Sequence, residues 1–480
     1  MNRKSMTKLS FLALASMALA ACSNGGVVLE EADQIFDGTS IYFVSGSSEN
    51  VSAKMEINGD ITGVACGRTA ADSDQYSYRN GVLTLGGKFI SSISGTGEKA
   101  IIVTTSSGKI ALNALAVTSV ITTAEEFQAI NTDAVTLQGT YVLGNDIDLS
   151  GIDNFEPLGW YTEESDPNNA YFHGILEGNG HTIKNAKVYY SDNVASNYNV
   201  YAENGTYRFT HDGHTNGDNI GLFQVIGSSG IVRNVNFSNI DVRGRTICGV
   251  VAGNVMGTIE NCYVDSQCSV EMGTHYYDDD CNMGGVAGIV AGSGQINNVI
   301  SEVTSLHIGA PGATTINGVS IEEAGIYLDW NNDYTSQTGN GWDHGNESDH
   351  NPWWKFCAVD KDKAGTKYTD SNGSYTNGVY AFAGKTWGSV SNCVAKKFKI
   401  TPMSGTTRDV NFSQTHLAAN KPTSGDSDLG SLTDNLLLDS EGMKTASNYG
   451  ESFSYGWNVV DGSVPTLKAA YSFVPSEAAE

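Results

Sequence analysis

Gly221-Leu222-Phe223 leading to Gly230-Ile231-Val232-Arg233-Asn234, Gly249-Val250-Val251-Ala252-Gly253 leading to Gly257-Thr258-Ile259-Glu260-Asn261, and Gly285-Val286-Ala287-Gly288 leading to Gly294-Gln295-Ile296-Asn297-Asn298 restate one phrase three times. A fourth copy runs from Gly378-Val379-Tyr380-Ala381 to Gly388-Ser389-Val390-Ser391-Asn392, and Gly178-Asn179-Gly180-His181-Thr182-Ile183-Lys184-Asn185 keeps the second half. Two residues before each Asn stand Ile183, Val232, Ile259, Ile296 and Val390, all β-branched and apolar, as an inward strand position requires. One residue after it stand Ala186, Val235, Cys262, Val299 and Cys393, all small and apolar. Asn185, Asn234, Asn261, Asn298 and Asn392 can adopt positive φ at low cost and so turn the chain between strands. Stacked copies would also bond amide to amide, as an asparagine ladder.

Asn234, Asn261 and Asn298 are 27 and 37 residues apart, which fits one coil of three short strands plus loops. A lone coil cannot bury its apolar face, but a stack can. Neighbouring strands would run parallel ~4.8 Å apart, and parallel crossovers are right-handed by strong preference. The expectation is an all-β chain built on a right-handed parallel β-helix over 121–400. Cys262 and Cys393 take the slot of Val235 and Val299, so they read as core residues; with the Val299 coil between them they would lie ~10 Å apart, beyond disulfide reach.

Composition agrees. Glycine is 55 of 480 residues, above the usual ~7%. The formal net charge of −26 argues against nucleic acid and anionic lipid as partners; solubility or divalent-cation binding explains it. Besides Cys22 the chain has Cys66, Cys248, Cys262, Cys268, Cys281, Cys357 and Cys393, an odd set without a Cys-x-x-Cys pair, so zinc and thioredoxin-like chemistry lack support.

Residues 27–120 show short strands separated by turn residues every 8–12 positions, the rhythm of a small β-sandwich. The Tyr-x-x-x-x-Gly-x-Leu-Thr-Leu phrase from Tyr76 resembles Ig-like modules of cell-surface proteins. Thr123 and Glu126 make a capping box for a short helix that would cover one end of the stack. In 401–480 the repeat fades into a capping region, with a short helix over Asp439 to Tyr449 and a final strand around Trp457 to Leu467.

Arg3, Lys4 and Lys8 precede an apolar stretch, Leu9 to Ala20, too short for a stable membrane span and of signal-peptide length. Leu19-Ala20-Ala21-Cys22 resembles the lipobox of bacterial lipoproteins. The resemblance implies a signal peptide over 1–21, lipidation of Cys22, a linker over 22–26 and attachment to a membrane of the cell envelope, at its outer membrane or surface. Thr-Ala-Glu-Glu-Phe from Thr123, Tyr-Val-Leu-Gly-Asn-Asp-Ile-Asp-Leu from Tyr141, Phe-His-Gly-Ile-Leu-Glu-Gly-Asn-Gly-His-Thr-Ile from Phe172, the Gly-Val-Val-Ala-Gly copies and the Trp…Pro-Thr-Leu ending together resemble bacterial surface proteins with GLUG motifs. That resemblance covers about 121–470 and implies adhesin-like display on a β-helix. The long insertions and the lipobox depart from it.

Chemistry would lie in insertions over 191–218, 271–283 and about 307–377, since a solenoid projects such loops from one face. The third holds Trp330, Trp342, Trp353 and Trp354, whose rings either stack on sugars or form a satellite core; an extra coil around Thr315-Ile316-Asn317 is the other option there. Asp278, Asp279 and Asp280, with Glu271 and His275, and a second group at Asp343, His344, Glu347, Asp349 and His350 either hold Ca²⁺ or a transition metal or are solvated loop charge. Asp329 to Asp333 starts like an EF-hand loop, but Tyr334 replaces its Gly. Arg243 and Arg245 with nearby acids would suit a polysaccharide lyase or glycosidase on a β-helix groove; no His-Glu-x-x-His or Gly-x-Ser-x-Gly motif is present. The function expected first is lipid-anchored display with a glycan or a host or envelope protein as ligand; the alternatives are that enzyme and a structural envelope component.

Overall fold

Asparagine sets one corner of every repeat. In the computed structural model Asn234, Asn261, Asn298 and Asn392 have φ of 55°, 49°, 58° and 52°. Each ends a three-residue strand: Ile231–Arg233, Thr258–Glu260, Gln295–Asn297 and Ser389–Ser391. These strands pair in parallel, rung on rung. The structure describes residues 34–35, 40–160, 170–189, 198–203, 206–211, 219–244, 247–272, 282–308, 315–316, 319–320, 368–370, 373–375, 379–397, 399–402, 408–409, 418–420, 431–472 and 474–475. The chain divides into two units: Ile121–Gln138 with Leu143–Lys468 is the larger, and Met1–Val120 with Gly139–Val142 and Ala469–Glu480 the smaller.

The larger unit is a β-helix-like stack of parallel sheets. Each of the four central coils, from Asn219 to Pro402, visits five of them in turn. The first holds Phe223–Ile226, Ala252–Val255, Ala287–Val290, Ala383–Thr386 and Ala418–Asn420. The second holds Ile175–Glu177, the four strands that end in Asn, and Ser431–Thr433. The third holds Ile147–Asp148, Thr182–Lys184, Asn236–Ser238, Tyr263–Val264, Ile300–Ser301, Val394–Lys396 and Leu436–Leu438. The fourth holds Lys187–Tyr189, Asp241–Gly244, Ser269–Met272, Ser305–Ile308 and Lys399–Pro402. The fifth holds Asn219–Ile220, Ile247–Gly249, Asn282–Gly284 and Val379–Tyr380. Three strands per coil was the sequence expectation; the central coils have five, and within the Gly-Val-Val-Ala-Gly run the chain bends at Val250-Val251, between Ile247–Gly249 and Ala252–Val255. A Cβ on Gly249 would lie 2.4 Å from Cα of Ala287 in the next coil, so this bend admits close backbone approach only without a side chain.

Single columns fill the interior. Leu176, Val232, Ile259, Ile296 and Val390 stack in register and are fully buried. Val188, Val242, Val270 and Leu306 do the same in the fourth sheet. Burying each such side chain is worth about 1.5–3 kcal/mol. Val235, Cys262, Val299 and Cys393 are likewise fully buried, and the Val299 coil separates the two thiols. Burial pushes the Cys262 thiol pKa up and that of Cys393 to about 12.

The asparagine pattern needs one correction. Asn185 follows Thr182–Lys184 of the third sheet, whose partner is Asn236–Ser238. It therefore stands beside Asn239 (φ 51°), which donates to it through Nδ2 at 2.8 Å, and outside the column of Asn234. Gly178 occupies that column's first rung, where a Cβ would fall 2.4 Å from the carbonyl oxygen of Asn234. Within the column, amide-to-amide bonding joins Asn298 Nδ2 to Asn261 Oδ1 at 2.6 Å. Asn234 instead donates to Glu177, and Asn392 to Asn297. The continuous feature is the backbone: the N–H groups of Asn234, Asn261, Asn298 and Asn392 each donate to the carbonyl of the next coil.

Ahead of the stack, Thr123 and Glu126 form a reciprocal capping box on the helix Ala124–Gln128. Phe127 is buried and stacks on Phe155, ring centres 5.5 Å apart. The carbonyl of Leu137 accepts from the N–H groups of His173 and Gly174 at 2.9 and 3.0 Å, which ties the helical segment to the coils. At the other end, two 3₁₀ turns, Gly442–Lys444 and Ala446–Asn448, replace the helix expected over Asp439 to Tyr449. Met443, Tyr449, Phe453 and Trp457 pack on Ile300 and Val394. These are outer positions of the third sheet, in register with Tyr263 and Leu436. This segment thus covers a flank of the stack, and the carbonyl of Ser452 accepts from Asn298 Nδ2 at 3.1 Å. Among the described residues no helix is long and apolar enough to cross a membrane.

The smaller unit packs two sheets on one core. The larger sheet runs Tyr471–Ser472, Ser40–Val44, Gly108–Val117, Gly97–Thr105, Ile61–Cys66, Thr69–Ala70, with Gln34–Ile35 also on Gly108–Val117. The smaller runs Val474–Pro475, Val51–Lys54, Val82–Leu85, Tyr76–Arg79. Phe43, Val51, Leu83, Phe89, Ile101 and Leu112 meet between them. Residues 469–480, read from the sequence as part of a terminal cap, belong to this unit.

Candidate functional site

The two longest insertions, 190–218 and 309–378, leave the coil at one corner. Chain leaving the fourth sheet at Tyr189 re-enters the fifth at Asn219; leaving at Gly244 it re-enters at Ile247; leaving at Met272, at Asn282; leaving at Ile308, at Val379. The intervening 190–218, 273–281 and 309–378 are the three insertions read from the sequence, the last two shorter than expected because their flanks are strands. By contrast, fifth to first sheet takes Gly221-Leu222, Val250-Val251, Gly285-Val286 and Ala381-Phe382, and second to third takes Asn234-Val235, Asn261-Cys262 and Asn298-Val299. Two further lengthenings lie at the ends of the stack, at 161–169 and 421–430. Within the insertions, Tyr198–Glu203 pairs antiparallel with Thr206–His211. Thr315–Ile316 pairs antiparallel with Val319–Ser320, so it forms a hairpin and not an extra coil.

In the fourth sheet Tyr189, Asp241, Arg243 and Ser269 present polar side chains beside this corner. Tyr189, Arg243, Glu271 and His307 occupy successive rungs of one register column, and Lys187, Asp241, Ser269 and Ser305 those of the neighbouring one. Asp241 gathers its neighbours: its Oδ2 accepts from Tyr189 Oη at 2.5 Å and from Arg243 Nη2 at 3.0 Å, and its Oδ1 from Ser269 Oγ at 2.9 Å. The Arg243 guanidinium lies 4.5 Å from the centre of the Tyr189 ring, a cation–π contact. All four are part-exposed. Arg243 and Asp241 form an ion pair at 3.0 Å, so this group offers hydrogen-bonding edges and a planar cation with its counter-charge beside it.

Reactive geometry is weaker. His173 Nδ1 lies 3.2 Å from Ser229 Oγ, but Ser229 Oγ donates to the carbonyl of His173 at 3.1 Å. The hydroxyl is therefore not oriented to give its proton to the imidazole, as an activated nucleophile must.

Of the sites expected from the sequence, Cys22, Trp330, Trp342, Trp353, Trp354, Asp278, Asp279 and Asp280 lie outside the described residues, as do His275, Arg245 and the group from Asp343 to His350. Among the described residues there is no cluster of three or more His, Cys, Asp or Glu that could hold a metal ion. Arg243 is the one expected groove residue with a described side chain, and its acid is Asp241. Sequence reading missed the pair Glu177–Arg233, 2.8 Å apart at Oε2 and Nε with Glu177 fully buried. Its signal was present: Gly174-Ile175-Leu176-Glu177-Gly178 aligns position for position with Gly230-Ile231-Val232-Arg233-Asn234.

No family model matches the chain. Over 143 residues it is 31% identical to halomucin of Haloquadratum walsbyi (strain DSM 16790 / HBSQ001), a match that takes in 28% of this chain and 1% of that protein.

Proposed function

We propose that this chain is a lipid-anchored display protein of the bacterial cell envelope. In this reading a right-handed parallel β-helix of the GLUG type, preceded by an Ig-like sandwich, holds adhesin-like loops toward a glycan or a host or envelope protein. The observation that carries it is the shared corner from which the two longest insertions, 190–218 and 309–378, depart. A frame whose insertions leave from one seam gathers them on one side, and loops on a rigid scaffold are where binding residues concentrate. The polar group of Tyr189, Asp241, Arg243 and Ser269, from two neighbouring columns, borders that seam. The tryptophans of the longest insertion supply rings suited to sugar faces, and the acidic insertions supply ligands suited to Ca²⁺. Leu19-Ala20-Ala21-Cys22 supports the anchor and, with it, a location at the outer membrane or cell surface.

The test is a glycan array with purified residues 23–480, with and without Ca²⁺. Saccharide binding that drops at least about tenfold in a Trp353→Ala, Trp354→Ala double variant of unchanged circular dichroism is the expected result. Absence of binding across the array, or binding indifferent to those rings, counts against the glycan ligand. Release of unsaturated oligosaccharides would replace display by a lyase.

A further inference from the structure

The smaller unit is closed by residues that follow the whole coil stack. Tyr471–Ser472 is the outer strand of its larger sheet, parallel to Ser40–Val44. Val474–Pro475 is the outer strand of its smaller sheet, antiparallel to Val51–Lys54. One short segment thus borders both sheets. The strands it borders are apolar: Ile41, Phe43, Val51 and Ala53 are buried. Tyr471 packs on the cluster of Tyr42, Leu115, Val117 and Val142. Left uncovered, such edges would present unpaired backbone groups and template pairing with another chain.

We propose that residues 471–475 are a closing strand, and that the unit synthesised first is completed last. Ser40 and its register partner Tyr471 are separated by nearly the whole sequence. Coils built from neighbouring strands close short loops and form early, whereas this pairing waits for its distant partner. The larger unit contributes nothing to these two pairings, so it keeps its order when they are removed. The inference is independent of any ligand.

Hydrogen exchange on the full chain tests it. Ser472→Pro with Val474→Pro removes one backbone donor from each of the two closing strands. Protection of 40–44 and 51–54 then falls at least about tenfold, while that of 231–233, 258–260 and 295–297 is unchanged. Unchanged protection at 40–54, or an equal loss in both units, overturns the proposal. A second variant does not depend on breaking the fold. Ser40→Cys with Tyr471→Cys places thiols on register partners ~4.8 Å apart, within disulfide reach. One crosslink within the monomer is expected on oxidation, and failure to form it also overturns the proposal.

Discussion

Glu177 is fully buried and ringed by donors. Arg233 Nε donates to it at 2.8 Å, Asn234 Nδ2 reaches both of its oxygens at 2.9 and 3.0 Å, and the N–H of Asn179 donates at 2.8 Å. Arg233 also faces Glu260 at 3.8 Å. Glu177, Arg233 and Glu260 are successive rungs, so the sign alternates along the column, and any other pairing of these coils would strand a buried charge. Such a pair selects register more than it adds stability. Arg233→Leu should therefore lower the unfolding free energy by about 3–5 kcal/mol, and Glu177→Leu with Arg233→Leu should recover most of the loss. Denaturant titration followed by circular dichroism reads both, and a single variant as stable as the parent would refute the role. The interior column around Val232 was legible because β-branched residues recur at fixed distance from Asn. Gly178 hid the first rung: the mark sought was an amide side chain, and the position demands none at all.

At the scale of strands and turns, period carried less information. Strands of two to four residues give too few alternations to separate from loop, which is why Asp241–Gly244 and Ile247–Gly249 were not visible as two members of a five-sided coil. Steric demand at the turns was more legible, through glycine. A Cβ on Gly388 would lie 2.1 Å from the carbonyl oxygen of Gly294, whereas one on Gly292 meets nothing within 4 Å. Gly388→Ala is expected to cost about 3 kcal/mol or more, as a backbone cannot yield the way a side chain can; Gly292→Ala should change the melting temperature by no more than a degree or two. The corners make a sharper distinction. Six Gly-Ser residues inserted after Gly244 should leave circular dichroism and the melting temperature close to the parent's, because that turn already varies. The same insert after Asn234 breaks the backbone bonds from Asn234 to Glu260 and from Gly178 to Arg233, and should abolish the cooperative transition.

Across the whole molecule, Cys66, Cys248, Cys262, Cys268 and Cys393 are the buried cysteines among the described residues. Burial raises the pKa of Cys268 as well as those of Cys262 and Cys393, so little nucleophilic thiolate exists at neutral pH. None of the five should take up maleimide in the native chain within a time that labels all of them in guanidinium chloride. Peptide mapping checks each separately, and native labelling at Cys262 or Cys393 would contradict the packed interior. The all-β character and the stack of parallel sheets were legible in outline, but the return of 471–475 to the smaller unit was not. Pairing between ends so far apart leaves no local mark. The seam after the fourth sheet has a consequence for descent. A lineage can lengthen, shorten or exchange what emerges there while every other contact is inherited intact. Recognition can therefore drift quickly over a frame that scarcely changes, and close relatives need not share a ligand.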